Sequence, residues 1–404
     1  MDQAHKTWIR ISVLNLMIVA LLGVVLRYKI NFSLLWIDQK KLLQGHSHFA
    51  FAGWITQTLM ILLIDWLDKQ SSLNQFKRYR WLLLGNLLTA YGMLISFPIQ
   101  GYAFFSIVFS TLSIFVSYSF AYLFWSDLNK LSLITISHRW FKVALLGHVL
   151  SSIGPFSLAY MMATKNVQQN LYLASVYFFL HFQYNVWFFF AGMGLAVHSM
   201  LKINLPKRPI ALVFALFALA AIPTYLLSVL WWPLGRIAFA ITVCSVVGQL
   251  IAWGIMIAYI LKHWSAIISP TERFSRFIFI LAGIALTIKL ILQTGSVVPS
   301  LSKLAFGFRP IVIGYLHLVL LGIITLFILG WLHQNQMLEN HRRTRMGLRI
   351  FIAGILINEM LLMIQGVADI QYLAMPNINL LLFLAALILF SGALMILIAQ
   401  FSLT

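Results

Sequence analysis

The chain has 404 residues and a formal net charge of +19; 61% of its residues are hydrophobic, 15% aromatic and only 9% charged. A soluble domain carries about 25% charged residues, so a water-soluble globular protein, a disordered chain and a fibre are excluded, and a polytopic membrane protein remains. The single cysteine, Cys244, excludes a disulfide framework and a cysteine-built metal cluster.

Twelve apolar runs follow one another, over 8–27, 45–67, 79–97, 102–125, 141–162, 172–200, 209–232, 237–262, 274–295, 309–333, 347–366 and 378–402. Each is long enough to cross a hydrocarbon core of about 30 Å as a helix of about 20 residues. The expectation is an all-α polytopic membrane protein, with 1–404 as a single twelve-helix membrane domain and the lipid bilayer as its partner. The first run ends in Leu26-Arg27-Tyr28-Lys29 with no small-residue cleavage site, so it reads as a span and not as a cleaved signal. The longest loops fall near 28–44 and 126–140, and the stretch 34–42 has the composition of an interfacial segment with snorkelling lysines. Trp231-Trp232-Pro233 fits an aromatic belt at the end of the seventh run.

The excess of basic residues sits in short loops. With the N-terminus, the even-numbered loops and the C-terminus on one side, that side collects 19 of the 28 basic residues, including Lys6, Arg10, Arg78, Arg80, Arg208 and Arg342. The other side, with Arg27, Lys29, Lys165, Lys303 and Arg309 among its members, holds 8, and Lys289 lies inside a span. The positive-inside rule then places both termini in the cytoplasm, as in a bacterial inner membrane, and nucleic acid is not needed to explain the charge.

Polar groups in a membrane are costly, so buried histidines are the natural candidates for chemistry. Of eleven histidines, His5, His138, His263, His333 and His341 fall in loops or at span ends and read as solvated, and His198 reads as interfacial. His46 and His48 open the second span, His181 lies about 14 Å into the sixth and His317 about 12 Å into the tenth, at 1.5 Å per residue. All four occupy the same half of the membrane, on three helices, whereas His148 lies in the opposite half. Imidazoles from separate helices at one depth suit a haem iron or copper, and a helix bundle buries haem well. His46 and His48 are about 200° apart on a helix, so one regular helix cannot aim both at one iron.

Three further groups lie within or at the ends of spans. Lys289 and Glu359 read as a proton relay, as partners of haem propionates or as a mutual ion pair. Arg309, at the entry of the tenth span, reads as a propionate partner or an interfacial anchor. Asp65 and Asp68 read as solvated loop charges. No nucleotide-binding glycine loop, zinc-protease motif or covalent haem-attachment motif is present.

The local sequences Gly45-His46-Ser47-His48-Phe49-Ala50-Phe51-Ala52-Gly53-Trp54, His181-Phe182-Gln183-Tyr184-Asn185-Val186-Trp187 and Gly314-Tyr315-Leu316-His317 resemble subunit I of the haem–copper oxidase superfamily. They look closest to the C-type oxidases and nitric oxide reductases, with an outline similar also to the NnrS family. The resemblance covers nearly the whole chain and implies a cytochrome oxidase subunit I-like bundle of twelve helices with both termini inside. It implies that His46 or His48, together with His317, binds a low-spin haem b, and that His181 stands where that family has a copper ligand. Tyr315 stands where the family has the axial histidine of a second haem. The stretch Ile222-Pro223-Thr224-Tyr225-Leu226 replaces the family's adjacent copper-binding histidines, so His181, Tyr315 and Tyr225 are what remains for a second haem or copper site. The expected role is electron transfer, or an oxygen- or nitric oxide-related accessory function, alongside respiratory subunits or a cytochrome or quinol donor. The alternatives are an active oxygen or nitric oxide reductase, and a cofactor-free secondary transporter, for which no repeat between the two halves speaks.

Overall fold

The computed structural model describes residues 3–71, 75–203, 205–298, 300–302, 307–339 and 342–401. The described residues are helical, without strands. In chain order the helices are α1 (Gln3–Asn31), α2 (Gln39–Phe49), α3 (Gln57–Gln70), α4 (Gln75–Gln100), α5 (Phe104–Asn129), α6 (Ile136–Leu150), α7 (Ile153–Ala163), α8 (Gln169–Leu180) and α9 (Phe189–Leu201). They continue as α10 (Lys207–Ala220), α11 (Arg236–Lys262), α12 (Trp264–Ile268), α13 (Arg273–Gly295), α14 (Arg309–His317), α15 (Leu326–Gln334), α16 (Arg342–Ile370) and α17 (Ile378–Ala399).

Among the described residues, ten helices are long and apolar enough to cross a membrane, or eleven if α10 and the short 3-10 helix Pro223–Val229 form one bent span. The 47° bend there falls at Pro223, whose ring and missing N–H break α-helical bonding. The run expected over 172–200 is helical from Gln169 to Leu201. It is not among those ten, because Gln183, Tyr184, Asn185 and His198 lower its hydropathy. The protein is thus a polytopic helical membrane protein.

The loops are shorter than their composition suggests. α2 starts at Gln39, because Asp38 caps it by accepting from Lys41 N at 2.8 Å. This leaves only 32–38 between α1 and α2, and brings Lys40 and Lys41 into the helix. Leu35 and Trp36, at the tip, are 89% and 93% exposed. Between α5 and α6 the connection is 130–135, closed by a capping box between Thr135 and His138.

Several groups expected to be solvated are not. His138 and His333 are buried, and His5 packs on Phe76, with ring centroids 3.7 Å apart, while facing Asp65 at 3.6 Å. Asp65 is itself buried and bonds Lys69 at 2.7 Å. Asp68 accepts from Gln75 N at 2.8 Å, fixing the start of α4. Counting residues along a span places a group at its end but does not show which neighbours cover it. His341 and Lys303 lie outside the described residues.

The chain divides into two compact units, Met1–Phe120 with Thr325–Thr404, and Ala121–Ile324. In the first, α16 and α17 approach so closely that a Cβ on Gly392 would lie 2.5 Å from Phe351 N, and one on Gly354 would lie 3.0 Å from Leu389 N. Small residues allow this contact between backbones, as is usual for helices in lipid. α1 packs on α17 and on α2, and α2 packs on α4. In the second unit α6 packs on α9, α7 on α8, and α10 on α11. Gly147 on α6 takes Val186 against its backbone, where a Cβ would come within 2.4 Å of that side chain.

Candidate functional site

Three helical rods loosen into π-helix: at Ala50–Thr56 between α2 and α3, at His181–Phe188 between α8 and α9, and at Leu318–Thr325 between α14 and α15. π-helix is rare and concentrates at functional sites. Each segment starts at, or within two residues after, one of the candidate histidines: His48, His181 and His317.

The first π segment shows how such an irregularity is held. Widening the helical bond pattern leaves backbone carbonyls for other donors, and a membrane offers little water to supply them. Here the donors are side chains of neighbouring helices. Asn15 Nδ2 on α1 reaches Gly53 O at 2.6 Å, and Asn86 Nδ2 on α4 reaches Ala52 O at 3.0 Å. Tyr91 OH donates to Asn15 Oδ1 at 2.8 Å, and Asn86 also donates to Gln57 Oε1 at 2.7 Å. Gly53 is required because a Cβ there would meet the Phe49 ring at 2.6 Å.

His48 sits just before this segment. Its Nδ1 lies 2.9 Å from Gln44 O, one helical turn earlier. Its ring stacks on Phe97, with centroids 4.2 Å apart, and its Nε2 lies 3.5 Å from Tyr102 OH. His317 is held in the same way, with Nδ1 2.8 Å from Ile313 O. A carbonyl accepts only from an N–H, so in both rings Nδ1 carries the proton and Nε2 is the acceptor nitrogen. This is the tautomer and the supporting bond of a metal-ligating histidine. His46 faces the other way, toward α1, where a Cβ on Gly23 would lie 3.7 Å from its Cε1.

His181 is set differently. Its Nε2 donates to Ala221 O at 2.8 Å, and its Nδ1 accepts from Asn185 Nδ2 at 3.1 Å. Both ring nitrogens are committed to the protein, which is the arrangement of a structural histidine. Tyr225 lies beside it, with ring centroids 5.9 Å apart, and donates to Ala174 O at 3.0 Å. Tyr315 packs edge-on to Tyr184 at 6.4 Å. Lys289 is 6% exposed on α13, one turn from buried Gln293 and within electrostatic range of His181. The carboxylates of the second unit, Asp127 and Glu272, are engaged elsewhere, with Lys130 at 3.0 Å and with the backbone of Phe274 and Ser275 at 2.7 and 2.8 Å. Glu359, in the first unit, is half-buried and accepts from Asn358 Nδ2 at 3.1 Å. Arg309 is exposed at the start of α14. His148 stacks on Trp187, with ring centroids 4.6 Å apart and planes 16° from parallel.

Asn15, Asn86, Gln57, Trp54, Gln183 and Asn185 were not singled out by residue type. A signal for the rods existed, however. His48-Phe49-x4-Trp54 matches His181-Phe182-x4-Trp187, and His48-x4-Gly53-x2-Thr56 matches His317-x4-Gly322-x2-Thr325. The first pair lies about a third of the chain apart and the second about two thirds, so a comparison of halves does not find them.

Among the described residues no group of three or more His, Cys, Asp or Glu side chains is placed to hold a metal ion. Haem needs only one or two protein ligands, and the protonation pattern of His48 and His317 fits that demand. Comparison of the sequence with protein-family models and with curated proteins gives no match.

Proposed function

We propose that the protein is a haem b-binding integral membrane protein of the haem–copper oxidase subunit I type. In this reading it has twelve spans and both termini on the cytoplasmic side of a bacterial inner membrane. It serves in electron transfer or in an oxygen- or nitric oxide-related accessory role. The observation that carries the reading is the shared setting of His48 and His317: each bonds through Nδ1 to the carbonyl one turn earlier, and each stands just before a π segment. His46 remains a candidate beside them. Bound haem b would supply one-electron redox chemistry. The imidazoles of His48 and His317 are its candidate ligands, and Phe97 stacks on the His48 ring.

His181 bears on the choice between electron transfer and reduction of a gas. With its nitrogens taken by Ala221 and Asn185, it offers no lone pair to copper. Tyr225 spends its hydroxyl proton on Ala174 O. A terminal reductase needs a second redox metal, so these bonds favour the electron-transfer or accessory role.

The test is to purify the protein in detergent, count iron and copper per chain and record reduced-minus-oxidised spectra. The expected result is low-spin b-type haem without copper, lost in His317→Ala. Copper together with a carbon monoxide-induced shift would favour the reductase instead. A colourless protein would overturn both.

A further inference from the structure

His48 keeps one nitrogen for chemistry, and Tyr102 already reaches it. Nδ1 donates to Gln44 O at 2.9 Å, which makes Nε2 the acceptor. Tyr102 OH lies 3.5 Å from that Nε2, so the hydroxyl donates and the ring accepts. An O–H donor usually stands about 2.7–2.8 Å from its acceptor, so this bond is long and weak.

The backbone that carries Tyr102 is fixed, and its side chain is not enclosed. α4 ends at Gln100 and α5 starts at Phe104, so only 101–103 turn the chain. Gly101 takes φ +68°, in the left-handed region that favours glycine, and its N–H bonds Phe97 O at 2.8 Å. On the other side of Tyr102, Ala103 N donates to Ser106 Oγ at 2.9 Å. Phe97 is 0% exposed; it stacks on the His48 ring at 4.2 Å and meets the Tyr102 ring edge-on at 4.9 Å. Tyr102 is 49% exposed. Its ring can therefore turn outward about its own side-chain bonds while the turn and Phe97 stay in place.

A neutral imidazole offers one lone pair, on its unprotonated nitrogen. A hydrogen bond from Tyr102 and a bond to a metal both use it, so the two exclude each other at His48. We propose that Tyr102 gates His48, its hydroxyl competing with a metal for Nε2. The proposal rests on the haem reading for the identity of that metal; the gate itself rests on the contact between the two side chains. Tyr102 then sets the affinity of the site without being a ligand, and a weakly bound metal is held off by a bond that a strong iron–imidazole bond displaces.

The experiment uses the full-length protein, Tyr102→Phe and Tyr102→Ala, each purified in detergent from cells starved of haem. Diethyl pyrocarbonate acylates the lone pair of a neutral imidazole, and peptide mass spectrometry gives the rate at His48. Added haemin is followed by its Soret absorbance. Tyr102→Phe should raise both the acylation rate and the haemin affinity about 2- to 10-fold, the worth of one neutral hydrogen bond, and Tyr102→Ala at least as much. Equal acylation rates in the unsubstituted protein and Tyr102→Phe overturn the gate, even where Tyr102→Ala reacts faster, because ring bulk alone would then cover the nitrogen. Faster acylation with unchanged haemin affinity places the iron elsewhere and overturns the competition. Faster acylation with no haemin bound by any of the three sustains the gate and overturns the haem reading instead.

Discussion

Trp54 donates its indole N–H to Thr325 Oγ1 at 3.0 Å, so the first π segment is pinned to the last residue of the third. Trp54 is 1% exposed, and its N–H has no water to turn to if Thr325 is lost. Thr325→Val keeps the shape but removes the acceptor, and should cost about 1–3 kcal/mol. Thr325→Ser should cost much less. Thermal midpoints of the purified variants decide this, and equal midpoints for Val and Ser would refute it.

The α16–α17 contact makes a sharp prediction about glycine. Gly392→Leu forces a side chain onto the Phe351 backbone, 2.5 Å from where its Cβ would begin. Overpacking of this kind costs about 1–3 kcal/mol or more. Gly248 on α11 has nothing within 4 Å of its Cβ position, so Gly248→Ala should be neutral or slightly stabilising. Yield and thermal midpoint report both.

Two of the rod histidines, His181 and His317, should separate by readout. His181→Ala leaves Ala221 O and the Asn185 amide without their bonds, and should lower stability by about 1–3 kcal/mol while haem per chain stays unchanged. His317→Ala should abolish haem binding with a smaller effect on folding. Haem content by pyridine haemochrome, set against thermal midpoint, distinguishes them; loss of haem in His181→Ala would assign that residue a ligand role.

Asp38 carries a pH prediction. The backbone N–H of Lys41 bonds its carboxylate and holds its pKa below the ordinary value of 3.8. A depressed carboxylate stabilises the folded state above its unfolded pKa and loses that contribution as pH falls through the folded one. Asp38→Ala should therefore lower the thermal midpoint at neutral pH, and the gap to the unsubstituted protein should close well below pH 3.8. A gap that persists in acid would mean that the cap acts other than through its charge.

Topology can be read with one thiol. Cys244 is the only cysteine, and Trp36 is 93% exposed at the tip of the loop between α1 and α2. A cysteine placed by Trp36→Cys in a Cys244→Ser background should react with an impermeant maleimide added outside intact cells. Labelling only after the membrane is opened would reverse the proposed orientation.

Hydropathy made most of this architecture legible. Each of the twelve apolar runs coincides with helix, and the histidines near π segments were already marked as candidates. The ends of the rods were not legible, because Asp38 and Thr135 begin helices through caps that cut across the loss of apolarity. Nor was burial at rod ends: Asp65, His138 and His333 look solvent-facing by position, yet neighbouring helices cover them. The first π segment left no periodicity to find, since Ala50–Thr56 is almost wholly apolar and its bonding partners, Asn15 and Asn86, come from other helices.

A π segment also changes phase. One extra residue in a turn rotates everything beyond it by about 100° relative to an uninterrupted α-helix. The residues before Ala50 and those after Thr56 therefore present faces that no single helical wheel would align. Removing one residue, such as Ala52, would leave both stretches of sequence intact yet turn Gln57 away from Asn86 and Asp65 away from His5. In each of these rods the aim of one end relative to the other is set by residue count as much as by residue type, and insertions or deletions there should be less tolerated than substitutions.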